Sequence, residues 1–165
     1  MATEEETHLP LVGRSARNSR AGWGANGDGE AVVRLARGWI GTPYLHQASM
    51  KGVGCDCLGL LRGVWRELGR DDPEALPNYA PDWDEATRTE TLYRGLRRHL
   101  REAPVVEPGV VALFRMVPRG PAKHCGIVGE RGGALTLIHA RQNKRVSEEA
   151  LTPFWRKKLA YAFRL

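Results

Sequence analysis

Four residues of this 165-residue chain have the chemistry of a nucleophile and its helpers: Cys57, His124, His139 and Tyr44. After Gly54-Cys55-Asp56-Cys57, the apolar residues Leu60, Leu61, Val64, Trp65 and Leu68 recur at steps of three and four, which predicts an amphipathic helix with Cys57 in its first turn. Unpaired amides and the positive end of the helix dipole gather there, so a thiolate is favoured over a thiol. Asp56 stands where a side-chain carboxylate caps such a helix. A cysteine without a base is an inert core side chain, so the reading turns on partners from elsewhere in the chain. His124 begins one expected strand and His139 ends the next, with Gly132-Gly133 between them. An antiparallel hairpin sets the start of its first strand beside the end of its second, which brings the two imidazoles to one edge. His124 is then expected to take the thiol proton and His139 to hold the His124 ring. The Cys57 amide and Tyr44 would stabilise an oxyanion. Tyr44 either folds back toward the thiol or packs as a half-buried loop aromatic.

The elements that must position these groups are legible from period and punctuation. Val32, Leu35, Ala36, Trp39 and Ile40 predict a first helix from Glu30 that ends at Gly41, before Thr42-Pro43. The central helix stops at Gly69, and Arg70 to Pro81 reads as a proline-rich surface loop. Leu92, Leu96 and Leu100 mark a third helix over about 84–101. Beyond Pro104 the period shortens. Val110 to Phe114, Cys125 to Val128 and Ala134 to His139 read as three antiparallel strands. Thr152-Pro153 opens a short helix through Lys158, and Ala160 to Leu165 closes the chain as a strand. Helices first and strands later make an α+β fold. The expected organisation is a flexible arm over residues 1–29, with glutamates and glycines and little apolar content, and one domain over 30–165.

With 42% hydrophobic and 27% charged residues the chain can bury one core. Its 25 basic and 19 acidic residues leave a charge of +6, which draws it toward polyanions. The basic clusters Arg94 to Arg98 and Arg156 to Lys158 fall in helical segments and read as solvated faces, so no nucleic-acid partner is expected. The acidic start has no secretory pattern, and no stretch is long enough for a membrane span; synthesis in the cytoplasm without a signal peptide is the expectation. Three cysteines are read as free thiols. Cys55, Cys57, His124, Cys125 and His139 are also zinc-type donors, but Cys55 and Cys57 are separated by one residue where structural zinc sites use two to four, and His124 and Cys125 as strand neighbours point to opposite faces. The other histidines, His8, His46 and His99, read as surface or satisfied residues.

Gly41-Thr42-Pro43-Tyr44, Asp56-Cys57-x-Gly59, His124-x-Gly126-Ile127 and Ile138-His139-Ala140 together resemble the ordered signature of the NlpC family of cell-wall cysteine peptidases. The resemblance runs from about Glu30 to the C-terminus. It implies a papain-like α+β fold, Cys57 as nucleophile, His124 as base, His139 as third member and Tyr44 beside the oxyanion site. It implies no metal or organic cofactor, and peptidoglycan stem peptides as substrate, cut at a D-γ-glutamyl to diamino acid amide. The stretch from His46 to Leu60 is similar to the branch carried by tailed phages and gene transfer particles. That implies a place in a particle tail, with tail or baseplate hub proteins as partners through the N-terminal arm. The alternative is a catalytically silent component of a tail hub. Two positions depart from the family pattern: Leu58 stands where Ser commonly follows the nucleophile, and Gly109-Val110 where Gly-Asp often opens the first core strand.

Overall fold

The computed structural model describes residues 28–72 and 89–165. The expectations for residues 1–27, for the loop beyond Asp72 and for the start of the third helix lie outside the described residues. Helix α1, Asp28–Arg37, buries Val32, Val33 and Ala36, the stripe that its period prescribes. It ends sooner than Gly41, because residues 38–40 wind into tight turns and the Gly41 amide donates to Val146 O instead (2.9 Å). The two-residue strands β1, Ser49–Met50, and β2, Gly54–Cys55, pair as a small antiparallel ribbon that leads into helix α2, Cys57–Glu67. Helix α3, Thr91–His99, buries Leu92 and Leu96. It stops before Arg101 because that residue and Glu102 form strand β3 against the last strand of the chain.

The remaining strands are β4, Val110–Phe114; β5, His124–Arg131; β6, Ala134–His139; β7, Ser147–Ala150; and β8, Leu159–Arg164, the last preceded by the short helix α4, Pro153–Lys158. With β3 they form a six-stranded sheet in the order β3-β8-β4-β5-β6-β7, every neighbouring pair antiparallel. This is the α+β arrangement that the chain order predicts, with β3, β7 and the β1–β2 ribbon added. Ser147-Glu148-Glu149-Ala150 has no apolar alternation and so gives no strand signal; pairing with β6 recruits it.

Both faces of the sheet are covered, which is why Val110–Phe114 is apolar at every position. Val111 and Leu113 pack with Ile127, Ile138 and Phe163 against the α1–α2–α3 layer, around Trp39, Leu60 and Val64. Val110, Ala112 and Phe114 face the other way, onto Val128, Leu137, Leu151 and Trp155. Burying each of these large side chains is worth roughly 1.5–3 kcal/mol. Two close approaches lock the layers where the site forms. A Cβ on Gly59 would lie 1.8 Å from Ala48 O, so only glycine lets α2 press its first turn on the preceding loop. A Cβ on Gly126 would lie 3.0 Å from His139 Cβ and 2.6 Å from Leu137 Cδ1, so glycine leaves the space that His139 occupies.

Candidate active site

Cys57 is the first residue of α2 and half-buried. Asp56 is the N-cap: it is buried, its Oδ1 accepts from Gly59 N at 2.7 Å and its Oδ2 from Gln47 N at 2.7 Å. One carboxylate therefore satisfies an orphan helix amide and also ties down the loop that carries Tyr44. The Cys57 sulfur lies 3.9 Å from Lys123 O, at the point where β5 begins. Its pKa is held well below the ordinary thiol value. Hydrogen bonding with Cys125 contributes most and hydrogen bonding and charge from His124 add to it, against the opposing cost of burial. The Cys125 thiol, in the same contact, is pushed well up, as is Cys55 through burial, to about 12. Only Cys57 of the three has the electrostatics of a nucleophile.

The hairpin brings the two imidazoles together. β5 and β6 pair with Ile127 opposite Ile138 and Arg131 opposite Ala134, around Gly132-Gly133. His124 Nε2 and His139 Nδ1 are 2.9 Å apart, which leaves Nδ1 of His124 for the sulfur. His139 is fully buried, and burial first, then the charge on His124, lowers its pKa to about 3. The indole of Trp155 on α4 stacks on His124 (5.7 Å between centroids, 29°) and meets His139 edge-on (5.0 Å, 82°). Phe114 flanks the His124 ring from β4. Both rings are thus fixed by aromatic walls on the sheet face away from α2, while Cys125 faces the helix layer. His124 and Cys125 do point to opposite faces, and the sulfur, lying across the start of the strand, meets both.

Tyr44 is half-buried, bridges to Cys55 and lines the same cleft as Cys57 and His124. Burial, followed by the charges of Cys57 and Asp56, raises its pKa to about 12, so at neutral pH its hydroxyl is a donor. The cleft is about 810 Å³ in volume; Met116, Val117, Pro118 and Trp155 give it an apolar side, and Arg119, Lys123 and Arg141 a cationic one.

Neither a family model nor a curated protein matches the sequence. Solved structures do match the fold. The NlpC/p60 domain of the peptidoglycan hydrolase SagA superposes with a TM-score of 0.57 at 22% identity, covering 84% of this chain and 100% of that one. A protein of the NLP/P60 family, similar to lipoprotein, from Staphylococcus aureus subsp. aureus Mu50 gives 0.57 at 17% identity over 89% of this chain. NlpC1 from Trichomonas vaginalis gives 0.54 at 22% identity over 86%. This chain has the NlpC/p60 fold. It spans 44% and 45% of the lengths of the last two proteins.

Within this NlpC/p60 fold the four residues singled out in the sequence lie at one end of the sheet. Of the other described histidines, His46 sits beside the N-cap, its Nδ1 3.7 Å from Asp56 Oδ2, and His99 packs edge-on against Trp65. Sequence reasoning missed Trp155 and Glu149. Glu149 Oε1 lies 2.7 Å from His139 Nε2 and 3.5 Å from Arg141 Nη2. Neither residue belongs to a motif. Trp155 was visible only as an aromatic in a short helix, and Glu149 as one of two adjacent glutamates.

Proposed function

We propose that the protein is a peptidoglycan endopeptidase that cleaves a stem-peptide amide by a Cys57-His124-His139 thiol mechanism. The observation that carries this reading is a low-pKa sulfur at a helix N-terminus, facing an imidazole whose far nitrogen is 2.9 Å from a second, buried imidazole. Its support beyond the site is the shared fold with an NlpC/p60 peptidoglycan hydrolase domain that the chain covers in full. The Cys57 thiolate attacks the amide carbon, and the carbonyl electrons move to oxygen, stabilised by the Cys57 amide and the Tyr44 hydroxyl. Protonated His124 then gives its proton to the departing amine as the C–N bond breaks, leaving an acyl group on sulfur. Water, losing a proton to His124, attacks that acyl carbon and frees the carboxylic acid and the thiolate. Arg119, Lys123 and Arg141 around the cleft suit a substrate rich in carboxylates, as stem peptides are. We place the enzyme in the tail of a phage or phage-like particle, used for local wall penetration; the similarity of the stretch from His46 to Leu60 to that branch supports this.

Purified protein incubated with isolated sacculi should lower their turbidity and release new amino termini. Cys57→Ala should reduce that rate by at least roughly a thousandfold, the scale of removing a covalent nucleophile. A wild-type protein that leaves sacculi intact would favour the silent hub component, and an unchanged rate in Cys57→Ala would remove the thiol from the chemistry.

A further inference from the structure

The relay at the site does not end at His139. Glu149 on β7 stands diagonal to His139 across the β6–β7 ladder, where Leu137 pairs with Glu149 and His139 with Ser147, and its long side chain spans that diagonal. The result is a chain of two short contacts, Glu149 Oε1 to His139 Nε2 at 2.7 Å and His139 Nδ1 to His124 Nε2 at 2.9 Å. An ionised carboxylate only accepts hydrogen bonds. The proton of a neutral His139 therefore sits on Nε2, and its Nδ1 is a lone pair. Nε2 of His124 must then donate, which leaves the lone pair of neutral His124 on Nδ1, the nitrogen facing Cys57.

We propose that Glu149 is a positioning residue that sets the tautomers of both histidines, so that His124 presents a proton acceptor to Cys57. The inference rests on the reading of Cys57 as nucleophile and His124 as base. In the opposite arrangement His139 donates from Nδ1, His124 accepts on Nε2, and the nitrogen at the sulfur already carries a hydrogen; such a ring cannot take the thiol proton. With Glu149 in place, the thiol proton moves to His124 Nδ1 and its electron pair stays on sulfur. No proton passes to His139 or Glu149. The other charged and titratable groups around the relay are Arg141, 3.5 Å from the same Glu149 oxygen, Lys144 near His139, and Cys125, Asp56 and Tyr44 about the sulfur.

Two measurements on the full chain test this without any wall substrate, so a failure to cleave sacculi leaves them unaffected. Long-range proton–nitrogen spectra of protein labelled with nitrogen-15 histidine should show His139 protonated on Nε2 and bare on Nδ1. The rate at which iodoacetamide alkylates Cys57, followed on the Cys57 peptide, should fall roughly tenfold in Glu149→Ala at a pH below the thiol titration, because less of the sulfur is then thiolate. Glu149→Gln, which keeps an acceptor oxygen, should recover most of that rate. A His139 proton on Nδ1 in the wild type overturns the proposal, and this outcome is readable even if Glu149→Ala does not fold. An alanine variant with the wild-type tautomers and the wild-type alkylation profile overturns it as well.

Discussion

His139 carries the sharpest electrostatic signature at the residue scale. The Glu149 carboxylate by itself would favour an imidazolium there, but that carboxylate is partly exposed and shared with Arg141, whereas the His139 ring is fully buried between Trp155 and the sheet. Burial wins, and the group titrates near 3 instead of at the usual 6.5. In the unfolded chain the same imidazole takes up a proton as pH falls through about 6.5, so between that value and about 3 the unfolded state binds more protons than the folded one. Stability is therefore lost as pH drops through this window. His139→Asn, which cannot titrate, should show a shallower decline in urea midpoint between pH 7 and pH 4. Parallel pH profiles for the two proteins would mean that His139 is not held neutral by burial.

At the element scale the site depends on how the first turn of α2 meets the loop before it. Three interactions converge within that turn: Asp56 caps Gly59 N, Ser49 Oγ donates to Gly59 O at 2.6 Å, and the bare Gly59 Cα accepts Ala48 O at its surface. Arg66, the penultimate residue of α2, clamps the same loop by donating to Ser49 O and Ser49 Oγ at 2.7 and 2.8 Å. These contacts tie helix, loop and ribbon together beside Cys57 and the loop that carries Tyr44. Gly59→Ala forces backbone against a methyl group at a position with no room to yield. It should cost roughly 1–3 kcal/mol of stability, the usual range for overpacking, and slow Cys57 alkylation by shifting the helix start. A variant with wild-type melting and wild-type thiol reactivity would show that the loop adapts freely. At the opposite edge, the Glu148 carboxylate joins Arg37 of α1 to Thr136 of β6 and to Arg131, with Arg37 at 2.9 Å. That buried anchor lies one residue from Glu149 and fixes the strand that carries it.

At the scale of the whole molecule, the net charge of +6 has a local expression in the cleft. Arg119, Lys123 and Arg141 line it, and among the described residues no acidic side chain does. A substrate with several carboxylates is drawn into such a concave field, and added salt screens the attraction over a Debye length of about 8 Å at 0.15 M. Replacing Arg119 and Lys123 with Gln should raise KM for soluble stem peptides severalfold and flatten its salt dependence, while kcat changes little. A kcat loss with unchanged KM would place these cations in the chemistry instead of in binding.

The central helix, its cap, the buried strand Val110–Phe114 and the hairpin that pairs His124 with His139 were all legible from period and turn chemistry, because each is specified within a dozen or so residues. Cys57, Tyr44 and the two histidines could be singled out for the same reason: their types and local positions already imply reactivity. The sequence could not show β7, whose polar residues become a strand only by pairing with β6, nor the diagonal that brings Glu149 to His139. It also left open where Tyr44 goes and hid the aromatic wall of Trp155. Those features arise from contacts between distant segments, and only tertiary packing decides which side chains share one dry corner. That corner sets the low thiol pKa and the neutrality of His139, because desolvation and short-range charge have no counterpart along an extended chain.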